Sequence, residues 1–340
     1  MSKRKAPSRI DETIDALIAA TGQVTSGQVA QAAGVTRQAA HYHLRRLADA
    51  GRLRRVGAGR GSQYVLAADF HQAYALEGLR EDAVWAEVRE KVRSVSEAAP
   101  IAAKALRFAF TEMVNNAIEH SGGTKVEVDA ASAPRFFFRV VDDGVGIFRH
   151  FGSRFGFDDV AAAFELTKGK RTTDPARHSG QGIFFTSRIV DRFGLEANGI
   201  RLTFDNDLHD VGLGESSIHE GTTVWWEVDP QTTRDPAEVY NEYTDEETLE
   251  FTRTRIPLRT LGGSSFISRA EAKRVADGLE RFEEVILDFT GVTDVGRAFA
   301  DELFRVWASE HPGTRLVVVS TSPIIDRMLG SVTGDRSTSG

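Results

Sequence analysis

The sequence predicts a multidomain protein with three modules: helices with a β hairpin, an α/β sandwich and a further α/β layer. Helices followed by two short strands predict the first module, a polar helix and two strands beside glycine-rich loops predict the second, and alternating strands and helices predict the third. A chain of 340 residues with 41% hydrophobic content can build two or three packed cores. The predicted boundaries are 1–68 for the first module, 69–97 for a connecting helix, 98–229 for the second module, 230–249 for an acidic linker, 250–333 for the third module and 334–340 for a flexible tail.

The first module begins with three short helices separated by capping residues. The second helix is predicted to be capped by Thr25 or Ser26, and the third by Thr36. Gly34 suits the turn between these two helices. The apolar spacing predicts helices over 10–20, 27–33 and 37–50. Two alternating strands around a glycine-rich loop are predicted over 51–56 and 63–66.

The charge of the first module differs from that of the remainder of the chain. Residues 1–66 contain 11 Lys/Arg against 4 Asp/Glu, a net charge of +7, whereas the remainder contains 31 against 45, a net charge of −14. A basic module on an acidic body indicates a polyanionic partner for that module alone.

This pattern resembles a winged helix-turn-helix domain, whose third helix enters the major groove of DNA and whose hairpin wing lies along the backbone or minor groove. The predicted outward face of the third helix supplies candidates for base and phosphate contacts: Arg37, Gln38, His41, Tyr42 and Arg45. The wing supplies candidate phosphate contacts: Arg54, Arg55 and Arg60. Surface solubility and a protein-docking role are the alternatives for these residues.

The second module contains a helix predicted over 101–120 and a strand that ends in an acidic, glycine-rich turn. Glu112, Asn116 and His120 are spaced i, i+4, i+8, so they project from one side of the helix, as a solvated polar face would too. Asp142 follows a β-branched strand and begins an Asp-x-Gly-x-Gly turn with Gly144 and Gly146. A carboxylate beside two glycines can accept a hydrogen bond from an exocyclic amine while the backbone approaches a flat ligand closely.

Two further glycine-containing segments follow in this module. Gly180 and Gly182 precede an apolar helix, whose N-terminus can bind phosphate groups. A strand entered through Gly-Thr supplies Thr222 and Thr223. Between the turn and these glycines, residues 148–179 form a long segment whose basic residues include Lys168, Lys170, Arg171 and Arg177.

The order and spacing of these elements over residues 98–230 resemble the GHKL ATPases (the gyrase, Hsp90, histidine kinase and MutL type), and within them the anti-sigma-factor serine kinases of bacteria. The resemblance implies a Bergerat-type ATP-binding sandwich with ATP and Mg²⁺ as cofactors. It implies that Asn116 holds Mg²⁺, that Asp142 accepts from the adenine amino group, and that Glu112 orients a water or an acceptor hydroxyl. Two roles stay open for His120: a hydrogen bond to the pocket wall, or a structural role.

For the remaining motif residues, the resemblance implies roles around the ligand. Gly144 and Gly146 would give room for the adenine ring, and Gly180 and Gly182 would hold the phosphates. Thr222 or Thr223 would support the adenine end. The segment 148–179 would be a mobile lid, and Lys168 would be its cofactor-binding lysine.

The third module alternates strands with helices from residue 250 onwards. Residues 285–294 resemble STAS domains, and fit better the STAS-like domain of unknown function found beside such ATPases. STAS substrates of the serine kinases place an Asp-Ser pair where Gly296 and Arg297 stand here, so the expected acceptor hydroxyl is missing. Thr290 and Thr293 are the nearest alternatives.

Two functions remain open: a DNA-binding transcriptional regulator controlled by Mg-ATP, with slow hydrolysis at most, or a serine/threonine protein kinase acting on a separate STAS-like partner. The expected partners are double-stranded DNA at residues 1–66 and a protein at the STAS-like module, and a homodimer is left open. Zero cysteines exclude disulfides, thiol catalysis and Cys-based zinc sites. Without an apolar run near 18 residues or a secretory signal, a soluble cytoplasmic protein of bacterial type is expected.

Overall fold

The structure is a computed structural model that describes residues 9–21, 23–49, 53–56, 62–132, 135–171, 180–261 and 265–333. The N-terminal module, residues 9–66, contains three helices: α1 Arg9–Thr21, α2 Ser26–Ala33 and α3 Arg37–Asp49. Two antiparallel strands follow: β1 Leu53–Val56 and β2 Gln63–Leu66. Thr25 caps α2 through a capping box with Gln28. The module has its own apolar core, which includes Ile14, Val29 and Leu44.

The central module, residues 70–228, is built on a seven-stranded antiparallel sheet in the order β3-β4-β5-β9-β6-β7-β8. Its strands are β3 Phe70–Ala75, β4 Lys125–Ala131, β5 Phe136–Asp142, β6 Arg192–Ala197, β7 Ile200–Asp205, β8 Asp210–Glu215 and β9 Thr222–Val228. β5 and β9 therefore lie side by side, and their register places Asp142 opposite Thr222.

The helices of the central module are α4 Glu81–Lys91, α5 Arg93–Ser96, α6 Pro100–His120, α7 Ile147–Phe155, α8 Asp159–Lys168 and α9 Gly182–Ile189. The apolar side of α6 packs on β5 and β9, and α9 packs on α6 and β6. Trp85 of α4, Phe110 of α6 and Phe138 of β5 meet in an aromatic group with ring centroids 4.9 to 6.2 Å apart. The polar side of α6 is left facing the ends of β5 and β9.

The predicted connecting helix over 69–97 is corrected by the structure. Its first third is the strand β3, which pairs with β4, and the helix begins only at Glu81. Phe70 is buried and Tyr74 is half-buried, and a spacing of four residues fits one face of a helix and one face of a strand equally well. The apolar spacing could not separate the two in this segment.

The predicted acidic linker over 230–249 and the predicted lid over 148–179 also differ from the structure. The linker contains a helix, α10 Pro236–Tyr243, capped by Asp235 and packed on α6 and α9. Much of the predicted lid is occupied by α7 and α8, and residues 172–179, with Arg177, lie outside the described residues.

The C-terminal module, residues 253–333, has a parallel three-stranded sheet in the order β10-β12-β14 and a two-stranded parallel pair, β11-β13. Its elements are β10 Arg253–Pro257, β11 Ser265–Phe266, α11 Arg269–Ala276, β12 Glu284–Asp288, β13 Asp294–Val295, α12 Arg297–Ala300, a π-helix Asp301–Trp307, α13 Ala308–Glu310, β14 Arg315–Val319 and α14 Pro323–Thr333. Its apolar core is continuous with that of the central module through Phe184, Tyr243, Phe251 and Phe282.

Candidate functional site

A pocket of about 400 Å³ lies where α6 faces the ends of β5 and β9. Its polar lining includes Asn116, His120, Asp142 and Thr222. Its apolar lining includes Met113, Val140, Ile147, Ile183, Leu195 and Val224. An apolar slot with a few polar groups at its end suits a flat heterocyclic ligand.

Asp142 is held at the end of β5 by the backbone of two neighbouring segments. Its Oδ1 accepts hydrogen bonds from Gly144 N at 2.9 Å and from Thr222 N at 3.2 Å. Burial raises the pKa of Asp142, while these hydrogen bonds oppose the shift. The carboxyl group is therefore fixed in orientation beside the apolar slot.

The turn after Asp142 is packed too closely for side chains at its glycines. A Cβ on Gly144 would lie 2.0 Å from Ser121 O. Gly146 has a φ of 85°, and its own Cβ would lie 2.5 Å from the Asn198 amide. The Asn198 side chain also donates to Val145 O at 3.0 Å and accepts from Arg149 N at 3.1 Å.

Two residues beside the site were not predicted by the motifs: Asn198, which contacts the glycine turn, and Tyr240, which interacts with Glu112. Asn198 belongs to the β6-β7 hairpin, and an Asn-Gly pair between two apolar runs is a hairpin signal that the sequence offers. Nothing local indicates that its side chain fixes the glycine turn. Tyr240 lies within the predicted linker and was missed with its helix.

Glu112 lies deeper along α6, against the first residue of α9. A Cβ on Gly182 would be 2.2 Å from Glu112 Oε2, so glycine leaves room for the carboxylate there. Gly180 packs against Arg171, since its Cβ would lie 2.5 Å from Arg171 O. The structure thus brings Glu112 to the N-terminal end of α9, where predicted phosphate-binding glycines also lie.

The two threonines of β9 have different surroundings. Thr222 lines the pocket, and its Oγ1 accepts a hydrogen bond from Ile147 N at 3.2 Å. Thr223 does not line the pocket, because successive side chains of a strand point to opposite faces of the sheet. Of these two threonines, Thr222 is therefore the one that faces the pocket.

Lys168 does not lie at the pocket, and its expected position is corrected. Its side chain is fully buried and forms an ion pair with Glu165. Its Nζ donates to Asp277 O at 2.9 Å and to Arg274 O at 3.2 Å, at the C-terminal end of α11. Those acceptors lie more than 100 residues further along the chain, so no local pattern could predict this contact.

The candidate DNA-contacting residues of α3 share an exposed face. All five candidates are exposed: Arg37, Gln38, His41, Tyr42 and Arg45. The candidates in the hairpin differ from one another: Arg54 Nη2 donates to Asp129 Oδ1 of β4 at 3.3 Å, whereas Arg55 is exposed and donates to Ser62 Oγ at 2.7 Å. Arg60 lies outside the described residues.

Three segments of the chain match known protein families. Residues 12–61 match "Transcriptional regulator, AbiEi antitoxin", residues 79–204 match "Histidine kinase-like ATPase domain", and residues 271–326 match "STAS-like domain of unknown function". The resemblances of the central and C-terminal modules are therefore confirmed: the chain carries a histidine kinase-like ATPase domain and a STAS-like domain behind a regulator-type N-terminal domain.

Whole-chain comparisons add little to these matches. No curated protein matches the chain. A solved structure assigned as an ICLR transcriptional regulator from Silicibacter sp. TM1040 is 12% identical over 68% of this chain and 89% of that chain, with a TM-score of 0.17. In the part of the chain that the structure describes, no helix is both long and apolar enough to cross a membrane.

Proposed function

Because the chain joins a regulator-type domain to a histidine kinase-like ATPase domain, we propose that it is a DNA-binding transcriptional regulator controlled by Mg-ATP, with slow hydrolysis as an accompanying activity. ATP binding changes the affinity of the N-terminal module for DNA, or that of the STAS-like domain for a partner protein. The proposal has three parts: a nucleotide site, a DNA-binding surface and a physical connection between them.

The nucleotide site is the pocket below β5 and β9. Adenine would occupy the apolar slot, with its amino group donating to Asp142. The amide oxygen of Asn116 would hold Mg²⁺, which would neutralise charge on the phosphates, and the N-terminal end of α9 would bind the phosphates. Glu112, beside Gly182, would orient a water molecule for hydrolysis. The apolar lining, the fixed Asp142 carboxyl and the close-packed Gly144 support this assignment.

The DNA-binding surface is the exposed face of α3. Three helices followed by a two-stranded hairpin support a winged helix-turn-helix, in which Arg37, Gln38 and Arg45 contact bases or phosphates. The excess positive charge of residues 1–66 supplies the attraction that such modules use for the phosphate backbone.

The hydrogen bond from Arg54 to Asp129 is the observation on which the connection rests. Arg54 belongs to the hairpin of the N-terminal module, and Asp129 belongs to β4 of the ATPase sheet. Asp129 is buried and also accepts from His71 and Arg139. Strand β4 pairs with β5, which ends at Asp142, so a shift at the nucleotide reaches the hairpin through two adjacent strands.

Gel-shift titration of the upstream DNA at fixed salt tests the proposal under four conditions. The protein is nucleotide-free in the first, and ADP, ATP or a non-hydrolysable ATP analogue is added in the others. We expect ATP and the analogue to change the apparent affinity for DNA by about fivefold or more relative to the nucleotide-free protein. The Asn116→Ala variant should keep the DNA affinity of the nucleotide-free protein and lose the change in affinity caused by ATP. The Asp129→Asn variant should bind both DNA and ATP, yet ATP should no longer change its affinity for DNA. An Asn116→Ala protein with an unchanged ATP response would contradict the coupling.

The alternative, a serine/threonine kinase, requires a separate acceptor. The position corresponding to the STAS substrate serine is occupied by Gly296 and Arg297 at the start of α12. Incubation with ATP labelled at the γ-phosphate and candidate STAS-like partners distinguishes the two functions. Free labelled phosphate without a stable phosphoprotein supports the regulator, and a labelled partner supports the kinase.

A further inference from the structure

A second and larger cleft, of about 830 Å³, lies between the ATPase domain and the STAS-like domain. Its lining from the ATPase side includes Arg188, Phe204, Asn206, His209 and Asp210, and its lining from the STAS-like side includes Arg255, Pro257, Arg259, Asp288 and Thr290. Pro257 and Asp288 are the last residues of two adjacent parallel strands. The carboxyl edge of such a sheet and the boundary between two domains are both common positions for ligand sites.

The floor of this cleft contains a buried positive charge, that of Arg188. Its side chain is only 8% exposed and lies over the ring of Phe184, with Cζ 3.5 Å from the ring centroid. Its guanidinium donates to four uncharged oxygens: Phe184 O, Ser187 Oγ, Thr167 O and Arg255 O, each at 3.1 Å. These four bonds use the donors of the two terminal nitrogens, and their acceptors carry no charge that would neutralise the guanidinium. The Tyr243 hydroxyl and, across the exposed side of the cleft, the Glu242 carboxylate also interact with Arg188.

Four other charged residues of the cleft form two ion pairs. Arg255 binds Asp288 Oδ2 through Nε at 3.1 Å and Nη2 at 2.8 Å, and among the residues that the structure describes no hydrogen bond from its Nη1 is found. Arg259 binds Asp210 at 3.1 Å on the rim, where both side chains are about half exposed. A pair exposed in this way is weak and readily rearranged. Glu242, which also lines the cleft, is hydrogen-bonded to Tyr243 and attracts Arg188, but it is exposed, so water weakens this attraction.

We propose that this cleft binds a small organic anion bearing a carboxylate or phosphate group. The anionic group lies between Arg255 and Arg259 and opposite the buried charge of Arg188, and the body of the ligand contacts Phe204 and Pro257. The site is separate from the nucleotide pocket: Arg188 lies in the last turn of α9, whereas Glu112 contacts the first residue of that helix. The proposal does not depend on ATP control of DNA binding.

Isothermal titration of the full-length protein tests the proposal, with inorganic phosphate and citrate as separate probes at constant ionic strength. We expect saturable binding of at least one probe, with a dissociation constant of about 1 mM or below. The double variant Arg255→Ala/Arg259→Ala should weaken this binding by at least about tenfold, because both charged donors are lost. The probe that binds identifies the preferred group, phosphate or carboxylate.

Two further variants keep the result interpretable. Arg259→Ala alone removes a half-exposed side chain, so weaker binding in a protein with unchanged unfolding temperature cannot be attributed to misfolding. Asn116→Ala alters the nucleotide pocket and should leave anion binding unchanged. The proposal is overturned if neither probe saturates, if the double variant binds like the wild type, or if Asn116→Ala abolishes binding.

Discussion

Two successive aspartates after β5 have different tasks. Asp142 points into the pocket and is buried, whereas Asp143 is exposed and accepts hydrogen bonds from Thr124 N at 2.7 Å and Lys125 N at 2.9 Å. These backbone hydrogen bonds lower the pKa of Asp143 to about 2. One carboxylate therefore faces the pocket, and its neighbour fixes the start of β4.

The first prediction contrasts these two residues. Asp142→Asn should weaken ADP binding by about tenfold or more and reduce the preference for adenine over guanine, because an amide can donate as well as accept. Asp143→Asn should lower the free energy of unfolding and leave ADP affinity unchanged. Titration with ADP and GDP, together with urea unfolding, measures both effects. Equal ADP affinities for Asp142→Asn and the wild type would refute the adenine assignment.

The second prediction concerns Glu227, a buried carboxyl of β9. Its Oε2 pairs with Arg192 Nη1 at 3.4 Å, yet burial outweighs this attraction and raises the pKa of Glu227 to about 7 from its ordinary 4.5. Between these two values the folded protein binds more protons at this position than the unfolded chain. This position's contribution to stability is therefore fully present below pH 4.5 and falls as the pH rises to about 7.

Glu227→Gln should remove this dependence, because glutamine does not titrate. The free energy of unfolding of the wild type, relative to the variant, should fall by on the order of 2–3 kcal/mol as the pH rises through this window. Urea unfolding of both proteins at several pH values gives this difference, and contributions from other titrating groups largely cancel. A difference that stays constant across the window would show that Glu227 remains ionised in the folded protein.

At the scale of elements, the sequence predicted the helices and strands whose periodicity was unambiguous. It predicted α6 and β5 and the motif residues on them, because α6 has many apolar positions at helical spacing and β5 is a run of β-branched and aromatic residues. It failed for β3, where one strand face and one helix face have the same spacing. The sequence did not predict α10, because its acidic residues indicated a linker. The two tyrosines of this helix, Tyr240 and Tyr243, pack on rings that are distant in the sequence.

The third prediction concerns α10. The ring of Tyr240 stacks on Phe185 with centroids 3.9 Å apart, and burial, reinforced by the Glu112 carboxylate, raises the pKa of Tyr240 to about 12. Tyr240→Ala should cost about 2–4 kcal/mol of the free energy of unfolding, because it removes a packed ring. Tyr240→Phe keeps the ring and should cost less than about 1 kcal/mol. Similar losses for both variants would mean that the hydroxyl, not the stacking, stabilises this helix.

The fourth prediction concerns the proposed DNA-binding surface on α3. Arg37→Ala and Arg45→Ala should each weaken DNA binding and reduce the slope of log affinity against log salt by about 1 for a lost phosphate contact. Arg54→Ala is the matched control, since this arginine is engaged by Asp129 of the ATPase sheet. Fluorescence anisotropy at several salt concentrations measures the slopes. An equal change in slope for Arg54→Ala would indicate that the hairpin also lies on the DNA backbone.

For the whole molecule, the sequence predicted the three modules but not the contacts between them. Lys168, the last residue of α8, was the predicted nucleotide-binding lysine, and Lys170 and Arg171 belong to the same predicted mobile lid. Instead, Lys170 Nζ donates to Arg281 O at 2.7 Å, and Arg171 Nη2 donates to Asp277 Oδ2 at 3.1 Å, so the STAS-like domain holds this part of the chain. Charge and composition cannot distinguish a lysine that binds a phosphate from one that binds a carbonyl of another domain.

The arrangement of the cores leads to the fifth prediction, on how the molecule unfolds. The N-terminal module has a separate small core, whereas the ATPase and STAS-like domains share one core in which Phe251 contacts Phe184 and Phe282. Differential scanning calorimetry should therefore show two transitions, a small one for the N-terminal module and a large one for the two joined domains.

Core substitutions and nucleotide should act on these transitions selectively. Leu44→Ala should lower the midpoint of the small transition only, and Phe251→Ala should lower that of the large transition only, each by several degrees, because large-to-small core substitutions cost about 2–5 kcal/mol. Mg-ATP should raise the midpoint of the large transition, since a ligand that binds only the folded state stabilises it. If Phe251→Ala instead split the large transition in two, the shared core would not hold the ATPase and STAS-like domains together.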